Sequence, residues 1–97
     1  MSRTRNYNQD TLDTQKRFFD ALDFLKQGNK LSGGVSGFCE LHGIDKRHLY
    51  TQQREPNRGY FEVGWLAPLV KFYKISGNWL LTGRGKMFKG ANSSGGV

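Results

Sequence analysis

The stretch "CELHGIDKRHLY", residues 39–50, reads as two short helices with a hinge between them. Its first part is partly apolar and stops at Gly43, a residue type that ends helices readily. Its second part opens with Asp45, whose carboxylate suits the N-cap of a new helix, and then sets Lys46, Arg47 and His48 side by side. Three basic side chains crowded just past a bend call for a reason, and helical geometry supplies one.

Cys39 lies one turn before the glycine and is small enough for two helices to cross closely, while Ile44 and Leu49 can anchor the pair to a core. This is the physical specification of a helix-turn-helix. At about 100° per residue, a second helix with Leu49 turned inward carries Arg47, Tyr50, Thr51 and Arg54 on its opposite side, with Lys46 flanking them at the N-terminal end. Such a face suits the major groove of DNA. Arginine can donate two hydrogen bonds to guanine, threonine can touch a thymine methyl, and tyrosine can reach a phosphate. The candidate base-reading residues are therefore Lys46, Arg47, Tyr50, Thr51 and Arg54. Candidate phosphate contacts are Ser32 and Ser36, at the N-terminal end of the preceding helix where backbone N–H groups are free, and Arg58, just past the reading helix.

Working outward, Phe18, Ala21, Leu22 and Leu25 keep the i, i+3, i+4, i+7 spacing and predict a helix over 11–27. Gly28 or Asn29 stops it, and Lys26 is well placed in its last turn. The glycine-rich "LSGGVSG" (31–37) is a connector in which Ser32 or Ser36 can cap the next helix, expected over 35–42. The helix after the hinge must finish near Arg54, because Pro56 disfavours helical geometry in Glu55. In "FEVGWLAPLVKFYKI" (61–75), Leu66, Leu69, Val70 and Tyr73 hold helical spacing. Either that helix begins near Trp65, with Pro68 in its first turn, or it is kinked. "SGNWLLTG" (76–83) predicts a short last helix between Gly77 and Gly83, and no strand alternation appears anywhere. The expected fold is all-α, a compact five-helix bundle containing a helix-turn-helix. Residues 1–10 form a disordered basic arm, 11–89 the folded domain and 90–97 a flexible tail.

Composition narrows the function. Ninety-seven residues make one small domain, and seven Phe, four Tyr and two Trp supply bulky material for a core. The formal charge of +7 is unevenly spread: no acid follows Glu62, whereas Lys71, Lys74, Arg84, Lys86 and Lys89 all do. That asymmetry favours a polyanionic partner, of which nucleic acid is the commonest. No run approaches the roughly 20 apolar residues of a membrane span, and "MSRTRNYNQD" lacks the apolar stretch of a signal peptide. The single cysteine, Cys39, cannot form an internal disulfide. A soluble cytoplasmic protein without a membrane partner is expected.

The segments "RFFDALDFLK", "FCELHGIDKRHLY" and "LVKFYKISGNWLLTGRGKMF" together resemble the lambda-repressor-like helix-turn-helix family of bacterial and phage regulators. The most specific element is "ISGNWLLTGRGKMF", which is similar to that family's fifth-helix signature: an aliphatic residue, then a tryptophan-leucine-leucine core and a threonine-glycine. The resemblance spans roughly residues 14–88 and implies a five-helix fold, DNA binding by the third helix, a homodimer and a nucleoid-associated place in a bacterial cell. The chain departs from the pattern at His42 and at Gln52, where aliphatic residues are usual, and in a longer loop, "EPNRGYFE". Leu41 is expected to take over the packing that His42 displaces.

Other chemistries fit less well. Cys39, His42 and His48 do not form a zinc spacing, so no metal or other cofactor is expected. Arg47, His48 and Tyr50 share one short helix and point apart, so they cannot converge on a phosphate as catalytic groups would, and an enzyme is not expected. No aromatic platform for single-stranded RNA is visible. Trp79, Leu80 and Leu81 read as core closure or as part of a dimer seam, and Phe24 as packing under the connector or against a partner subunit. Arg3 and Arg5 form either a solubilising tail or an arm for a minor groove.

No segment is set aside for sensing a small-molecule effector. The expected function is a sequence-specific regulator of transcription on double-stranded DNA, repressing by occupancy. The alternatives are an architectural or accessory factor of a mobile element, such as a recombination directionality protein, and a protein-interaction module.

Overall fold

A computed structural model describes residues 7–57 and 61–89 of the chain. Its helices run α1 Gln9–Gln27, α2 Gly34–His42, α3 Lys46–Arg54, α4 Leu66–Phe72 and α5 Gly77–Thr82, with a 3-10 turn at Val63–Trp65 leading into α4. Among the described residues there is no β-strand, only an isolated antiparallel bridge between Ile75 and Phe88.

Local signals explain most of the boundaries. Asn8 caps α1, its Oδ1 accepting from the Thr11 N–H at 2.9 Å, so the helix starts two residues before the expected position 11 and enters the stretch expected to be an arm. At the other end Asn29 takes a left-handed φ of 57°, and the Lys30 N–H returns to the Leu25 carbonyl at 2.8 Å, the usual closure of a helix C-terminus. α2 ends at Gly43, whose φ of 70° lets the Ile44 N–H reach the Cys39 carbonyl at 2.8 Å. Asp45 then caps α3 through the Arg47 and His48 N–H groups. Pro68 lies in the first turn of α4, where no N–H is required of it, so there is no kink to explain. Ser76 caps α5 through the Trp79 N–H at 3.1 Å.

One capping expectation fails. Neither Ser32 nor Ser36 caps α2; its N-cap is Gly33, in the left-handed region, with no side-chain hydrogen bond. The reason is register: α2 starts at Gly34, so Ser32 lies one residue before the capping position and Ser36 inside the first turn, while the connector curls tightly enough for the Ser32 carbonyl to occupy the place where a side chain on Gly37 would begin.

The core is built on the stripe of α1. Phe18, Ala21, Leu22 and Leu25 are buried together with Leu31, Phe38, Cys39, Leu49, Trp65, Leu66, Leu69, Ile75 and Leu80. Each large side chain so enclosed contributes about 1.5–3 kcal/mol by leaving water. Phe61 and Trp65 close one end in edge contact with each other, 5.4 Å between ring centroids. The Arg17 Nε donates to the Leu80 carbonyl at 2.7 Å and ties α1 to α5.

Two side chains depart from expectation, and Leu81 departs from one of its two readings. Leu41 does not replace His42: it is 71% exposed, while His42 itself packs on Phe38 and Phe72 and bonds the Tyr73 hydroxyl at 3.2 Å. An imidazole among rings, with a phenol as its polar partner, fills the site where an aliphatic residue was expected. Phe24 lies against Phe88 rather than under the connector, because the Ile75–Phe88 bridge brings the C-terminal segment to α1. Leu81 is more than half exposed, so of "WLL" only Leu80 is fully enclosed and Trp79 packs at the edge.

Candidate nucleic-acid interface

The face of α3 is decided by what the helix buries. Leu49 and Gln52 point into the protein, 1% and 0% exposed. Turning about 100° per residue from that pair puts Arg47 and Arg54 squarely outward, with Tyr50 on one shoulder and Thr51 on the other. Arg47, Arg54 and Tyr50 are exposed and Thr51 is half-buried. The helix carries no acidic residue along its nine positions, so nothing on it offsets the two guanidinium groups.

Lys46 has a different setting. Its ammonium donates to the Ser36 hydroxyl at 3.1 Å, bridging the first turn of α3 to the first turn of α2. The bridge places both candidates at the same edge and holds Lys46 back from the outward face. Ser32 is exposed in the connector. The Gly34 N–H is given to the Leu31 carbonyl at 3.0 Å, and with no side chain capping α2 the Val35 and Ser36 N–H groups suit an oxygen from outside the helix, such as a phosphate. Arg58, Arg3 and Arg5 lie outside the described residues.

Between α1, the start of α2 and α3 runs an open groove of about 310 Å³, lined among others by Lys26, Gly33, Ser36, Tyr50 and Gln53. Gln53 was not foreseen as part of this edge. Its signal is its position one turn after Tyr50 and two after Lys46, on the same flank of the helix. No family model, curated protein or solved structure matches the chain. What this surface does must therefore be argued from its own geometry.

The electrostatics are those of a helix start. Two backbone N–H bonds from His48 and Arg47 hold the Asp45 carboxyl below its usual pKa. The charged cap lies at the positive end of α3, and His48 Nδ1 is 4.0 Å from its other oxygen. Cys39 is buried between α2 and the core, and burial pushes its thiol pKa up, which fits a small packing residue. Among the described residues no three or more His, Cys, Asp or Glu are grouped to hold a metal ion. No helix there is long and apolar enough to cross a membrane.

Proposed function

We propose that this chain is a sequence-specific regulator on double-stranded DNA, of the lambda-repressor-like helix-turn-helix kind. In this reading α2 and α3 are the helix-turn-helix, and α3 lies in the major groove. The observation that carries it is the composition of α3 by face: Leu49 and Gln52 dock it, and Arg47 and Arg54 stand outward between Tyr50 and Thr51. Arg47 and Arg54 read base edges, with Thr51 and Tyr50 at the sides of the contact. Lys46 braces Ser36 and adds positive charge beside the phosphate track, and the uncapped start of α2 receives a phosphate. The acid-free segment after Glu62 adds long-range attraction through Lys71, Lys74, Arg84, Lys86 and Lys89.

A helix of this length reads one half-site, so two copies per operator are expected. Val63 and Leu81, exposed beside Leu66, Ala67, Val70 and Leu80, provide apolar surface for that pairing. The test is to enrich duplexes from a random-sequence pool with the full chain. The enriched and scrambled duplexes are then titrated across a salt series, recording the mass of the complex. Specific binding about 10³-fold or more tighter than to the scrambled duplex, with two protomers bound, is the expected result. Equal affinity for both duplexes overturns the reading.

A further inference from the structure

Gln15 of α1 and Gln52 of α3 are enclosed in the core, 2% and 0% exposed. Gln52 Nε2 donates both to Gln15 Oε1, at 3.0 Å, and to the carbonyl of Pro56, at 2.8 Å. Gln15 Nε2 is buried and makes no hydrogen bond. An enclosed amide with an orphaned donor costs stability; two methionines of similar volume would fill the space and remove the orphan, leaving the carbonyl of the exposed Pro56 to water. Stability therefore does not account for the pair.

What an amide does and a methionine cannot is bond directionally. Apart from Gln52, α3 buries only Leu49, and an apolar knob sets the depth of a helix better than its rotation about its own axis. Gln52, one turn further on, is tied at once to α1 and to the segment leaving α3. A small roll of the helix displaces the tips of Arg47 and Arg54, and base readout tolerates little displacement. We infer that Gln52, held by Gln15 and Pro56, is a positioning residue that sets the roll of α3 and thereby the sequence preference of the domain, with little effect on its general affinity for DNA. This rests on the DNA-binding reading above.

The test compares Gln15→Met, Gln52→Met and the double variant with the wild-type chain. It uses the duplex the wild-type enriches and a scrambled duplex of equal length. The double variant should melt at or above the wild-type temperature and bind the scrambled duplex with unchanged salt dependence. Its preference for the enriched duplex should fall about tenfold or more, the scale of one good base contact. Gln52→Met alone should also lose preference, and Gln15→Met, which leaves the bond to Pro56, should lose less. A double variant with wild-type preference overturns the inference, and so does one that melts well below the wild-type. If the wild-type enriches no duplex, it is the DNA-binding reading that fails. The positioning is then judged by residual dipolar couplings of the α3 amides, which should report a rotated helix in the double variant; a wild-type orientation overturns it.

Discussion

Gly37→Ala separates local propensity from tertiary contact in a single substitution. Gly37 lies inside α2, and in an ordinary helix interior alanine in place of glycine stabilises by about 1 kcal/mol. Here the new Cβ would overlap the carbonyl oxygen of Ser32, a backbone atom that cannot swing aside as a side-chain tip would. Relieving the overlap means opening the connector or breaking the Gly37 N–H bond to the Gly33 carbonyl, 3.1 Å long. Overpacking of this kind costs about 1–3 kcal/mol, and contact with backbone argues for the upper end. The net expectation is a loss of about 1–2 kcal/mol, or roughly 4–15 °C in Tm for a domain this small. Thermal and urea unfolding measure it. Gly43→Ala is the control: nothing lies within 4 Å of the position its Cβ would take, so only its φ of 70° matters. That loss should be about 1–2 kcal/mol, with Gly43→Asn recovering part of it because asparagine tolerates the left-handed region. A Gly37→Ala chain that melts above the wild-type refutes the argument.

Arg47→Ala should cost about 1–3 kcal/mol at the enriched duplex and relax one base preference, whereas Lys86→Ala should weaken all duplexes alike; titrations against both duplexes decide it. Asp45 has a depressed folded-state pKa, so its contribution is present above the ordinary carboxyl range and is lost as pH falls through the lower folded value. Asp45→Asn keeps a capping oxygen without titrating, so acid-unfolding curves should lose this component in the variant. Replacing both Val63 and Leu81 by serine should leave the fold intact, since both side chains are more than half exposed, and should lower the solution mass of the DNA complex from two protomers per duplex to one.

The helices were legible because their signals are local. A stripe four residues deep in α1, the aspartate cap at Asp45 and the helix stop at Gly43 are each read within one or two turns. The proline at 68 left two readings open, and the 3-10 turn before it resolved them by letting α4 start at Leu66. The outward face of α3 followed from Leu49 alone, and the exposed arginines agree with it. The edge of that face was less legible. Lys46 and Thr51 had been grouped with the readers, yet one is tied to Ser36 and the other is half-buried, and periodicity carries no information on either point.

By itself, then, the sequence determined an all-helical chain, several of its helix ends and the basic side of its third helix, because capping, periodicity and charge act between near neighbours. Only the tertiary structure decided what Gln52 and His42 do, since their partners Gln15 and Tyr73 stand 37 and 31 residues away along the chain. It alone brought Phe88 onto Phe24 and the Ser32 carbonyl against Gly37. A polar residue at an aliphatic position reads as a departure until the group that satisfies it is in place. Long-range packing is what puts it there.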